Sequence, residues 1–339
     1  MFRILPLLAA VLLSPVALPV SVQAEETVAE YPGKFPQVNR WKLEGWKTDF
    51  TKRRVDLSEI MSGGPPKDGI PPLDDPQFVD VSEAANLQPN EPVIGLEING
   101  DARAYPLQVL MWHEIANDVV GGKPVAVTYC PLCNAALVFD ATLNGKTMSF
   151  GTTGKLRNSD LVMYDRGTES WWQQFTGEAI AGSMTGKSLK LVPSRLESWS
   201  AFAKRHPKGK VLVPNNPGMR NYGRNPYIGY DSAAKPFLYN GAMPDGINPM
   251  ARVVVVRRDD NEPLIVSMQK VRDAGGFESG AVKLSWTPGQ ASALDSPVIA
   301  EGRDVGAILA SDTAGKPLVY DVTFAFVAHA FHPKVTIIK

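Results

Sequence analysis

VIGLEINGDARAY, residues 93–105, reads as two strands joined by a tight turn. Val93, Ile94, Leu96 and Ile98 precede Asn99-Gly100, and Ala102, Ala104 and Tyr105 follow it. Asn-Gly between two apolar runs signals a hairpin, because both turn positions need positive φ and these two residues tolerate it. The same dipeptide returns at Asn144-Gly145, between apolar runs at 136–139 and 147–150. A further short strand is predicted at 125–129, running into Cys130. Others are predicted at 161–164, 170–175, 252–257, 264–267, 282–286, 305–310 and 318–326. Helical spacing is confined to 107–118, closed by Gly121-Gly122, and to 196–205, closed by His206-Pro207. Residues 215–249 are rich in Asn, Pro, Gly and Tyr and read as a long loop, a kind of segment that often carries function. The expected fold class is mainly β (α+β): one large mixed or antiparallel β-rich domain over 57–335, with a few short helices.

The 339 residues carry 35 Lys+Arg and 35 Asp+Glu, so the formal net charge is zero. That balance argues against a nucleic-acid partner, which usually needs a basic surface. With 44% apolar and 21% charged residues, the chain has the composition of a globular protein rather than a disordered or coiled-coil one. Its start has the layout of a secretory signal peptide over 1–24. Arg3 is followed by an uncharged apolar run with Pro6, Pro15 and Pro19, then Val22-Gln23-Ala24 before Glu25-Glu26. Cleavage after Ala24 would make the protein periplasmic or secreted, with no integral membrane segment left. Residues 25–56 then form a polar lead-in, with Trp41 and Trp46 as candidate anchors onto the body.

Cys130 and Cys133 are the only two cysteines. In an oxidising compartment they admit three readings. A strand–CPLC–strand arrangement resembles a metal knuckle, with Asn134 at a left-handed turn position and soft thiolates suited to copper or zinc. Two ligands do not complete a site, so His113 and His329 are the expected imidazole ligands, with Glu114 or Asp118 orienting the ring. Alternatively the pair is a redox dithiol, with Cys130 attacking and His113 activating it. In the third reading the pair is a structural disulfide in a non-enzymatic binding module that uses the 215–249 loop. Asn134 in place of His excludes c-type haem attachment. Candidate catalytic residues are therefore Cys130, Cys133, His113 and Glu114, and the partner would be a metal or a small molecule.

Three other strings carry less. WHEIAND, residues 112–118, superficially resembles the zinc-protease H-E-x-x-H, but Asn117 replaces the second His. GTTGK, residues 151–155, has two residues between its glycines where a P-loop needs four, and is expected to be a turn with an exposed Lys155. The polar run Arg157-Asn158-Ser159-Asp160 and the run 163–168 could line a pocket or hold strand ends.

The stretches RAYPLQVLMWHEIANDVVGGKPVAVTYCPLCNAALVFD (103–140) and FGTTGKLRNSDLVMYDRGTESWWQQFTGEAIAG (150–182) resemble the domain-of-unknown-function family 3179. GIPPLDDPQF, HPKGKVL and NPYIGYD fit the same pattern, and the resemblance covers roughly 57–335. It implies no activity. It implies only that Trp112, His113, Glu114, Asn117, Asp118, Cys130, Pro131, Cys133, Arg157, Ser159, Tyr164, Asp165 and Arg166 match the family motif. Where members often have Gly after the second Cys, this chain has Asn134.

Overall fold

The computed structural model describes residues 35–258 and 261–339; the expected signal peptide lies outside them. The described residues are β-rich, with five short helices. The strands build two five-stranded sheets, two four-stranded sheets, a three-stranded sheet and a two-stranded ribbon. Ladders are antiparallel except for Lys210–Val213 beside Asp101–Pro106 and Ile337–Ile338 beside Asn261–Ser267, so the pairing is mixed as expected.

The Asn-Gly turns form where expected. Pro92–Ile98 pairs with Asp101–Pro106, with Asn99 and Gly100 at φ 51° and 81°. Asn144 and Gly145, at 51° and 73°, close the small ribbon. Lys123–Cys130 pairs with Ala135–Asp140 across the CPLC turn.

Three expectations are corrected. The helix expected over 107–118 ends at Leu110, and Ile115–Val120 is a strand paired with Lys123–Cys130. Glu114 sits at φ 59°, a conformation no helix interior contains. His113 and Asn117 therefore share no helical face, and Gly121-Gly122 is a hairpin turn rather than a helix stop. The segment 196–205 divides into the strand Arg195–Ser198 and the helix Trp199–Arg205, capped by the Ser198 hydroxyl accepting the Ala201 N–H. The last expected strand likewise stops at Phe324, so His329 lies on the helix Ala325–Phe331.

The largest apolar cluster draws residues from Leu73 to Ile337 and includes both cysteines. Trp41 and Trp46 are the anchors expected of the lead-in. Each is 3% exposed, and both rings pack on Trp171, at centroid distances of 4.8 and 5.1 Å. No helix among the described residues is long and apolar enough to cross a membrane.

Candidate metal centre

The CPLC turn is fastened from several directions. Inside it, the Cys133 N–H donates to Cys130 O at 3.2 Å and the Asn134 N–H to Pro131 O at 3.1 Å. Asn134 takes the left-handed position, φ 51°, as its residue type suggests. From the strand Tyr320–Phe324, the Thr323 hydroxyl and the Phe324 N–H both donate to Cys133 O, at 2.7 and 3.2 Å. Asn134 returns a bond to Val322 O at 3.1 Å, and the Tyr230 hydroxyl donates to Leu132 O at 3.0 Å. The turn's own carbonyls are thus satisfied by backbone and hydroxyl donors, and neither sulfur is needed to hold it.

Both cysteines are free thiols and fully buried. The Cys130 thiol makes one weak contact to Ser159 O, at 3.7 Å. Beside the two thiols stands Asp160, at the tip of the hairpin between Phe150–Arg157 and Asp160–Asp165. That tip, Asn158-Ser159, has φ 54° and 63°, and the Ser159 hydroxyl is tied down by Phe237 O. The tight turn carries Asp160 inward. One ligand atom from each of Cys130, Cys133 and Asp160 lies within 4.8 Å of the others.

Asp160 is wholly buried. Its Oδ2 accepts from Gln173 Nε2 at 2.6 Å and from the Phe175 N–H at 2.8 Å. Its Oδ1 has no hydrogen-bond partner. Burial pushes its pKa up to about 6; the Phe175 N–H, Gln173 and the nearby thiols hold it from rising further. The thiols are close enough to act on the charge, but neither makes a regular hydrogen bond to Oδ1. Burial also raises both thiols, Cys133 well above the ordinary range, and Asp160 adds to each shift. Glu114 completes an acidic surround, its pKa pushed up to about 8 by burial and then by Asp160.

His113 and His329 are not in this cluster. His113 Nδ1 lies 2.7 Å from Pro71 O and Nε2 lies 2.8 Å from the Tyr222 hydroxyl, whose ring stacks on the imidazole. A carbonyl can only accept, so Nδ1 carries the proton and Nε2 accepts from Tyr222. Burial lowers the pKa of His113 and favours this neutral form. The ring is oriented by Pro71 O, not by Glu114 or Asp118. Asp118 is spent on Arg103, at 2.7 Å, and on the Tyr105 hydroxyl, at 2.6 Å. His329 is half-buried on its helix. Lys155, expected to be exposed, is 2% exposed and paired with Glu44 at 2.7 Å. The site residue that sequence reasoning missed is Asp160. The one signal was a polar run between apolar strands.

A cavity of about 440 Å³ opens beside the turn, lined by Cys130 and Glu114 among others. Pro226–Tyr230, Ala233, Phe237 and Leu238, all from the long loop, form one wall.

The sequence matches the family described as Protein of unknown function (DUF3179) over residues 67–335. The chain belongs to this family. Every motif residue at the cluster lies inside the match, as does Asp160. No curated protein and no solved structure matches the chain.

Proposed function

We propose that Cys130, Cys133 and Asp160 hold a soft metal ion, zinc or copper, and that the remaining coordination position opens on the cavity beside Cys130. Asp160 Oδ1 carries this reading. It is a buried carboxylate oxygen without a regular hydrogen bond, set beside two thiols, and no arginine or lysine bonds this carboxylate among the described residues. Leaving such a group bare is costly, and a cation bound there removes the cost. A tetrahedral ion holds sulfur and oxygen donors roughly 3.5–3.8 Å apart, so donors already within 4.8 Å need little movement. Three protein ligands and one open position make a site that can activate a bound water or substrate. Glu114, lining the cavity, would hold and transfer the proton. With the leader expected at 1–24, this would be an exported metalloprotein acting on a small molecule.

The test is elemental analysis of protein purified without chelators. About one zinc or copper per chain is expected, lost in Asp160→Ala and in the Cys130→Ser, Cys133→Ser double variant. No stoichiometric metal and no uptake from buffered zinc or copper(I) overturns it. A second reading, a redox dithiol, draws on the closeness of the two sulfurs. It needs a readily formed thiolate, and burial beside two acids opposes that. Rapid reversible oxidation of the native, metal-free pair would favour it.

A further inference from the structure

We infer that the cavity beside Cys130 takes an uncharged, mainly apolar small molecule, held by hydrogen bonds from its single polar group to Glu114 and Tyr227. Leu156, Leu161, Tyr230, Phe237 and Leu238 line the cavity with hydrocarbon and aromatic surface. Within that lining the Glu114 carboxyl and the Tyr227 hydroxyl have no hydrogen-bond partner among the described residues, and they lie within electrostatic reach of each other. Apolar walls around a few unspent polar groups are the usual anatomy of a small-molecule site. The lining also decides the ligand's charge. Its one ammonium, Lys155, is committed to Glu44 at 2.7 Å, so an anion finds no counter-charge among the lining side chains. Asp160 repels an anion further, and with zinc bound the two thiolates and Asp160 still outnumber the ion's two positive charges by one, so the cluster stays net negative. A cation would need Asp160 or Glu114 as partner. The metal reading spends Asp160 on the ion and leaves only Glu114, a wholly buried carboxyl that burial itself keeps toward its neutral form, so the preference for a neutral over a cationic ligand rests on that reading. Ile228 and Phe237, 61% and 59% exposed, place apolar surface at the cavity mouth, where such a molecule would enter.

Three isosteres test the charge: 2-naphthamide, 2-naphthamidine and 2-naphthoate, titrated against the full chain as purified and after zinc loading, with binding read by saturation-transfer NMR. The amide is expected to bind at least about tenfold tighter than either charged analogue, since a charge entering this lining goes unpaired. Tyr227→Phe is expected to weaken it about three- to tenfold, the worth of one hydrogen bond. Ala233→Trp, which fills the cavity from the loop, is expected to abolish it. Tyr227→Phe keeps ring and fold and carries the test if the tryptophan variant does not fold. Tightest binding by the amidine or the carboxylate overturns the proposal. So does saturable binding that neither variant changes, or no saturable binding by any of the three. Metal content measured on the same sample separates the two readings: zinc-free protein that still selects the amide retains the ligand site and loses the metal centre.

Discussion

Asp231 and Asp160 are both carboxylates without solvent, but the fold surrounds the first with cations and the second with thiols. Asp231 accepts from Arg252 at 2.9 Å, from Arg303 at 2.9 Å and from the Ser292 hydroxyl. Burial pushes its pKa up, but Arg252, Ser292 and Arg303 outweigh that and hold it below the usual carboxylate range. A third buried acid, Asp321, leaves one oxygen unbonded, but Arg257 lies 3.0 Å from the other. Asp160 alone of the three has neither an arginine nor a lysine bonded to it among the described residues. The molecule can bury a carboxylate with full compensation, and does so where packing is the purpose. Glu91 also leaves an oxygen unbonded with no arginine or lysine beside it, so what sets Asp160 apart is the pair of thiols at its free oxygen.

The largest effect should separate these two sites by stability. Asp231→Ala leaves Arg252 buried without its partner, and a loss of about 3–5 kcal/mol is expected in denaturant melts. Asp160→Asn, measured metal-free, removes an uncompensated acid and should cost under about 1 kcal/mol or stabilise. The same variant should lose zinc affinity by at least about 100-fold. Equal destabilisation by the two substitutions would erase the distinction.

pH separates them next, by on the order of a few kcal/mol across the range. Glu114 and Asp160 are raised in the fold, so the unfolded chain releases their protons first. The metal-free protein should therefore lose stability as pH climbs from about 4.5, through about 6 for Asp160, until the fold itself ionises Glu114 near 8. Glu114→Gln should flatten the upper part of that slope. Asp231 has the opposite sign: its stabilisation is present above the unfolded carboxylate pKa and is lost as acid protonates the folded pair. Melting temperatures of wild type, Glu114→Gln and Asp231→Asn from pH 3 to 9 check both signs.

These contrasts were only partly legible in sequence. Asn99-Gly100, Asn144-Gly145 and the CPLC turn announce hairpins because their φ demands are local. Trp41 and Trp46 stood out as large apolar groups in a polar lead-in. The segment 107–118 misled because Leu107, Leu110, Met111 and Ile115 satisfy helical spacing. The left-handed Glu114 that breaks it is not a residue type that signals such a turn. Asn117-Asp118-Val119-Val120-Gly121-Gly122 has the form of a strand entering a two-residue turn, which competes with the helical spacing before it. His113 drew attention through its neighbour Glu114, yet its ring is committed to Pro71 and Tyr222. Asp160 could not be singled out, since its role depends on two hairpin tips, 27 residues and more apart in the chain, meeting in space.

Metal uptake sharpens the comparison further. Both thiols are raised, so each must give up its proton on binding. Zinc loading near pH 7 should release about two protons per ion, and affinity should fall steeply on acidification. Proton release measured by calorimetry in buffers of different ionisation enthalpy checks this. A value near zero would mean the ion does not take both sulfurs.

The smallest expected effect concerns how the thiols are aimed. Thr323 and Phe324 both donate to Cys133 O, so deleting the hydroxyl leaves the carbonyl satisfied by the backbone N–H. Thr323→Val keeps the β-branched shape and should cost only about 0.5–1.5 kcal/mol in stability. Its effect on zinc should be proportionally larger. The turn's second tie to this strand, Asn134 to Val322 O, fixes the peptide after Cys133 but not the Cys133 carbonyl that Thr323 holds. A ligand set whose donors must sit at fixed distances from one ion loses affinity when its turn loosens, whereas the Asp231 cluster is joined by several charged bonds. A Thr323→Val variant that binds zinc as tightly as wild type would show that the hairpin alone places the sulfurs, and that the strand Tyr320–Phe324 serves only to pack.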